Sequence, residues 1–521
     1  MDTYRNLGQH MMQCSVRFPA KARFITLVFS VLLSLIAGIS GRSSAGDNAL
    51  SFADVVKKAE KMSHQPFQKP ESIPDYLRKM SYDQWQKIRF LDNKSPWPGG
   101  ENFSLQFVHL GYLYEQPVKI NIIDAQGVHR FQFSPKLFNY GNTQIGQKVP
   151  ENLGFAGFNV YFPLKPGGSE EFLSFLGASY FRALGRQQWF GLSARGIAID
   201  TASSNGEQFP YFKEFWLIRP EARADSMKIY ALLDGESVTG AYRFVVYPGE
   251  QTEMDVKAVV FLRKAVQKLG IAPFSSMFLQ GSNSLRQYTT LAPQVHNSDG
   301  LSIKTQDDRW IYRPLQNPGR LGVYSFELNN PVGFGLMQRD RRFCSYQSLS
   351  LHYQDRPSAW VTATGKWGKG KIQLIEIPTS TRNNDNIVAF WIPDRLPAPN
   401  NPIPISYKIS WQGERMTLPK VGYVVNTRTG EGGANKNAQV FNIDFAGGKL
   451  KTISPNEVSA VVTVDNQAKL LEQHIVKNEF VEGLRLELQI EPAGKPVQLR
   501  AYLKKGNEVL TETWDYVFYS P

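Results

Sequence analysis

The chain has 521 residues, a formal charge of +13 and two cysteines, Cys14 and Cys344. Its length predicts two or three domains, and two cysteines exclude a small scaffold built on disulfides. Part of the positive charge lies near the start (Arg5, Arg17, Lys21, Arg23 and Arg42 against Asp2), and the rest is interleaved with acids. That scatter reads as a solvated basic surface and argues against nucleic acid as a partner.

Lys21 and Arg23 precede an almost unbroken apolar run over residues 24–39, followed by Gly41, Arg42, Ser43, Ser44 and Ala45. Charge, a short apolar core and then small residues form the pattern of a secretory signal peptide. Ser43 and Ala45 satisfy the small-x-small rule, which places cleavage after residue 45. The run is short for a membrane span, which needs about 20 apolar residues. Cys14 precedes the run, so it cannot be a lipid-attachment cysteine. No Arg-Arg pair precedes the core, so the general secretory route is expected over the twin-arginine route. The remaining length, about 475 residues, can be stable through its own apolar cores.

Two helix starts open the mature region. Ser51 and Asp54 frame one capping box ahead of Val55, Ala59 and Met62, and Ser81 and Gln84 frame another ahead of Trp85. Beyond about residue 100 come short alternating or apolar runs cut by Gly, Pro and Asn, such as residues 118–123, 155–162, 229–233 and 242–247. Many short strands with turn residues between them predict sandwiches and not βαβ units. Five prolines, Pro393, Pro397, Pro399, Pro402 and Pro404, crowd residues 392–406. A linker that cannot be a central strand is predicted there. Clean period-two strands follow, with Leu484, Leu486, Leu488 and Ile490 on one face and Val497, Leu499, Ala501 and Leu503 on another. They predict an immunoglobulin-like sandwich in shape, without its cysteine pair. The expected organisation is mostly β: a signal peptide over 1–45, a large sandwich over 46–392, a Pro-rich linker over 393–406, and a smaller sandwich over 407–521.

Several motifs fail. Gly365, Gly370 and Lys371 match the start of a phosphate-binding loop, but Ile372 stands where Ser or Thr must hold the metal and a strand follows. The seven histidines are dispersed without ligand spacing, so no metal is expected. Ser193 lies in Gly-Leu-Ser-Ala-Arg, which is not a nucleophile elbow. No cofactor is expected either.

Three polar stretches survive as places where loops meet: residues 295–301 with Trp310, Tyr312 and Arg313 after them, residues 353–360, and residues 379–386 before the apolar run 387–391. Asn, Asp and Ser in such loops ordinarily make turns. Exposed aromatic rings among them can stack on sugars.

From about Phe52 to its end, the chain resembles the family of G and D proteins of osmoregulated periplasmic glucan biosynthesis, and the missing Arg-Arg pair fits the G branch. The resemblance is dense at residues 153–158, 176–182, 191–200, 212–216, 355–360 and 385–389. It implies two β-sandwich domains with the larger first, a periplasmic location, and β-1,2-glucan as the ligand. An inner-membrane glucan synthase is the protein partner it admits. It also implies kinship with inverting endo-β-1,2-glucanases, in which Asp385 matches the general acid and Tyr353 a proton-relay tyrosine. The base position follows the histidine of His-x-Ser-x-Gly, and here it is Asn297, an amide that cannot act as base. Asp299, two residues on, is the alternative base. His296, Trp310, Arg313, Trp360 and Trp391 are the expected sugar-binding residues. A non-catalytic factor that holds and presents the glucan is the competing expectation.

Overall fold

The computed structural model describes residues 50–519, apart from 98–101, 142–143, 205, 285–289, 434 and 436. The predicted signal peptide lies outside the described residues. Both capping boxes form: Ser51 and Asp54 cap the helix Phe52–Ser63, and Ser81 and Gln84 cap the single turn Tyr82–Trp85. Beyond them the chain is mostly β, and no described helix is long and apolar enough to cross a membrane.

Among the described residues a ten-stranded antiparallel sheet packs against part of a fifteen-stranded sheet. Period-two alternation explains the join. In Tyr180–Ala183, Phe181 and Ala183 are buried while Tyr180 and Arg182 are partly exposed on the other face. Phe158, Phe175 and Phe181 of the first sheet meet Phe215 and Phe244 of the second with ring centroids 5.0–5.4 Å apart. Most of these contacts are edge-on, the geometry that ring quadrupoles favour.

A second core lies between the four-stranded sheet that begins with Tyr423–Glu431 and the strands Ser459–Val464, Val497–Lys505 and Thr513–Phe518. Leu484, Leu486, Leu488 and Ile490 point into it, as their alternation requires. The last strand joins the end of the large sheet by a short parallel pairing, Ile311 with Thr513 and Tyr312 with Trp514. The junction carries buried ion pairs, Arg313 to Asp515 at 2.6 Å and Arg339 to Glu512 at 2.5 Å.

The linker predicted over residues 393–406 is corrected by the strand Pro402–Gln412. It pairs with Thr252–Leu262 along its length, including Pro402 with Phe261 and Pro404 with Val259. On its other side it pairs with Ser358–Ala363 only from Tyr407 onward. The prolines thus occupy the part with one strand neighbour, where a missing N–H costs no ladder bond on the open side. The large sandwich therefore runs through Gln412, and the first strand of the four-stranded sheet starts at Tyr423. Lys369–Glu376 is a strand, as the failed phosphate-loop reading anticipated.

Candidate functional site: an arginine-lined cleft around Asp385

Asp385 closes a loop over residues 377–386, and the loop is held by amide clamps at both ends. Asn386 accepts from the Phe278 N–H at 2.8 Å and donates to the carbonyls of Phe278 and Ile377, each at 3.0 Å. Asn317 donates to the Thr379 carbonyl at 2.9 Å and accepts from the Thr379 N–H at 3.0 Å. A loop with its ends fixed this way presents Asp385 in one place.

Asp385 is solvent-exposed, yet protein surrounds it closely enough that burial raises its carboxyl pKa. That combination belongs to a concave wall and not to a convex surface. Arg182, Arg356 and Arg195 oppose the rise. Among the described residues no donor hydrogen-bonds to this carboxyl, so desolvation wins.

The three arginines are built differently. Tyr180 and Arg195 are register partners on neighbouring strands, and the Arg195 guanidinium lies 5.0 Å from the Tyr180 ring. Arg195 is also fixed by Glu207 at 2.7 Å. Arg182 rests 4.3 Å from the Phe190 ring centroid and faces the half-buried Glu171 as well as Asp385. Arg356 lies 4.2 Å from the Tyr353 ring and donates to the Leu351 carbonyl and to the side-chain oxygen of Asn297.

Tyr353 opens a one-turn 3-10 helix directly after His352, whose backbone is left-handed at φ 45°. Burial raises the Tyr353 phenol, against the opposing fields of Arg356 and Arg382. At the rim Trp189, 49% exposed, stacks on His352 with ring centroids 4.0 Å apart and planes 6° from parallel. Its N–H donates to the Asp355 carbonyl at 3.1 Å.

Asp385, Tyr353 and Asn297 thus meet around Arg356. Asp299 turns another way: its carboxylate accepts from Tyr312 at 2.9 Å and from the N–H groups of Arg339 and Asp340 at 2.5 and 2.9 Å. It lines a small pocket toward the second sandwich, with Asn283, Gln294, Asp340 and Asn426. Three donors on one carboxylate commit it to holding the backbone.

The expected sugar contacts need correction. His296 is fully buried, stacked on Phe278, and each ring nitrogen faces a glutamine oxygen at 2.8 Å, from Gln294 and from Gln338. Arg313 is buried in the junction ion pair and has the Tyr324 ring 3.8 Å away. Trp391 is fully buried in the main core. Trp310 and Trp360 stack at 5.4 Å and bury each other with Met337. Residue type alone could not separate these core groups from contacts. Arg182, Arg195, Tyr180 and Trp189 went unpredicted, although the outward positions of the alternating run 180–183 carried the signal for two of them.

A profile described as "Periplasmic glucan biosynthesis protein, MdoG" matches residues 50–518. The chain belongs to this family. It is 43% identical to the glucans biosynthesis protein G of Ralstonia nicotianae, over 93% of this chain and 99% of that one. It is 42% identical to the protein of the same name from Dickeya dadantii, over 90% and 93%. A third relative so named, from Pectobacterium carotovorum, is also 42% identical over 89% and 92%. The G branch, and not only the wider family, is thus represented among the relatives, and the location that the family's description carries is the periplasm.

Proposed function

We propose that this protein serves periplasmic glucan biosynthesis by acting on a β-1,2-linked glucan backbone in the Asp385 cleft, as a slow inverting endo-glucanase. The observation that carries the reading is Asp385 itself: accessible, enclosed, without a hydrogen-bond donor among the described residues, and raised in pKa by burial. Such a carboxyl holds its proton longer than a surface aspartate and can give it to a glycosidic oxygen. Cleavage then needs a water on the opposite face of the sugar and a group to take that water's proton, with roughly 6.5–9.5 Å between acid and base where no relay intervenes. Tyr353 is the relay in this reading. Its route toward Asn297 ends on an amide that cannot keep the proton, so the proton passes on to bulk water, and the reaction is slow. Residues 1–45 act as the export signal, and a membrane glucan synthase supplies the chain.

Asn297 favours a second reading, in which the cleft holds the nascent glucan and presents it for branching or substitution without cutting it. Product analysis after incubating the mature protein with linear β-1,2-glucan separates the two. Shortened chains that disappear with Asp385→Asn and accumulate faster with Asn297→Asp support the enzyme. Asp299→Asn tests the alternative base and is expected to leave the rate standing unless the fold is lost. Binding without cleavage in the wild type and in Asn297→Asp selects the presenting role.

A further inference from the structure

We propose that the cleft selects a glucan carrying anionic substituents, with Arg182 and Arg356 receiving the anion; this rests on the glucan reading above. Several enclosed arginines of this protein are matched by carboxylates. Arg313, Arg339 and Arg195 each meet a carboxylate, at 2.6, 2.5 and 2.7 Å. A guanidinium withdrawn from water without such a partner is costly. Arg182 and Arg356, beside Arg195 in the cleft, meet no such partner among the described residues.

Among the described residues Arg182 forms neither a hydrogen bond nor an ion pair, although it is half-buried. The Phe190 ring braces it from one side at 4.3 Å, so its donors are held in place with nothing to receive them. Arg356 spends two nitrogens on the Leu351 carbonyl and one on the Asn297 amide, all uncharged acceptors. Arg382, exposed on the Asp385 loop, adds a third guanidinium whose field reaches Tyr353 and Arg356. Against these three guanidinium groups stand two carboxyls, Asp385 and Glu171, and burial raises the pKa of both. Glu207 is taken by Arg195.

The cleft is therefore net cationic, and its cations are preorganised. A neutral sugar offers hydroxyls, which form ordinary hydrogen bonds to a guanidinium. A carboxylate or phosphate ester offers two charged oxygens that fit its planar fork, and charge-assisted bonds of that kind are roughly twice as strong. The amide at residue 297 contributes directly: a carboxylate there would pair with Arg356 and cancel the charge that attracts the ligand. An anion seated on Arg182 and Arg356 would also neutralise the field that opposes protonation of Asp385, which keeps the acid loaded while the ligand is bound.

The test is calorimetric titration of the mature protein with linear β-1,2-glucan, with the same glucan esterified by succinate or by phosphate, and with inorganic phosphate alone. The esterified chains are expected to bind about tenfold tighter than the neutral chain at low salt, an advantage that shrinks as salt screens it. Arg182→Gln and the exposed Arg382→Gln should each reduce that advantage while the neutral chain still binds. Equal or weaker binding of both esterified chains overturns the inference and leaves the glucan reading standing. So does inorganic phosphate that binds as tightly as the esterified chains, because the anion then needs no glucan. Failure of every glucan to bind overturns the functional reading itself.

Discussion

The junction between the sandwiches and the Asp385 cleft are both rich in arginine and carboxylate, but they use them in opposite ways. In the junction the charges face each other: Arg313 meets Asp515, which also receives Arg500 at 2.7 Å, and Arg339 meets Glu512. In the cleft Asp385, Arg182 and Arg356 form no ion pair among the described residues, and the two arginines end on aromatic faces, a backbone carbonyl and an amide. The first arrangement resolves each buried charge inside the protein. The second leaves it unresolved, available to something from outside. A raised carboxyl pKa by itself does not tell the two apart, because Glu376 in the junction is also pushed up, to about 7, with no exposure at all. Access to solvent makes the difference.

The sharpest way to break this contrast is to remove one partner in the junction. Arg313→Met leaves Asp515 buried with only Arg500 and a long contact to Gln498, and should cost about 3 kcal/mol of stability, read from denaturant unfolding. Removing a cleft arginine such as Arg182 should cost far less, since it has no bond to lose. If both variants lose the same stability, the division between the regions is wrong.

Asp385→Asn is the next largest effect and should appear in rate and not in stability. An amide keeps the shape but cannot donate the proton, so glucan cleavage should fall by about 10²–10⁴ while glucan binding persists. The melting temperature should stay level or rise, because a desolvated carboxyl has been replaced. A fall in melting temperature that matches the loss of cleavage would mark Asp385 as structural.

Glu376 allows a pH test of the junction. One of its carboxyl oxygens accepts from the Gln316 N–H at 2.8 Å, and among the described residues the other meets no donor in good hydrogen-bond geometry. Burial raises its pKa from 4.5 to about 7 against the pull of Arg313, with Tyr324 also beside it. The folded state therefore favours the proton. That contribution is complete below the unfolded pKa and is lost as pH rises through about 7. Glu376→Gln, neutral at every pH, should flatten this dependence and gain on the order of 2–3 kcal/mol over wild type above neutrality. A variant that is less stable at pH 8 would show that ionised Glu376 is needed by Arg313.

Much of the fold could be read from the sequence because its strands obey period two and its helix starts carry capping boxes, both of which are local. Residues 484–490 and 497–503 are examples. The strand Pro402–Gln412 was not legible, because tolerance for Pro402 and Pro404 depends on which side of the strand has a neighbour, and that neighbour is far away in sequence. The cleft divides the same way. Asp385 and Tyr353 came from motif resemblance, and the structure brings them together around Arg356. Trp391 and Arg313 were misassigned because a tryptophan in a core and one on a rim have the same local sequence signature. Arg182 was within reach, since it alternates with buried Phe181 and Ala183.

Trp189 carries the smallest prediction and the one that best separates binding from folding. Its ring is half exposed and lies flat on His352, so one face is already covered, and the next residue, Phe190, braces Arg182 of the cleft. Nothing in the core depends on it: its backbone N–H, which holds Asp355, survives any side-chain change. Trp189→Ala should therefore shift stability by no more than about 0.5 kcal/mol, the usual range for surface substitutions. Loss of the ring also uncovers His352, whose Nδ1 lies 3.0 Å from the Asp355 carboxylate and which precedes Tyr353 in the chain. If the rim ring stacks on a sugar, glucan affinity should fall by about 5- to 10-fold, as expected for one aromatic contact worth roughly 1 kcal/mol. Trp189→Phe should recover most of that loss, because stacking needs a ring and not an indole N–H. Unchanged affinity in Trp189→Ala would place the sugar path elsewhere along the cleft, and failure of phenylalanine to rescue a real loss would assign the effect to displacement of His352 and not to stacking.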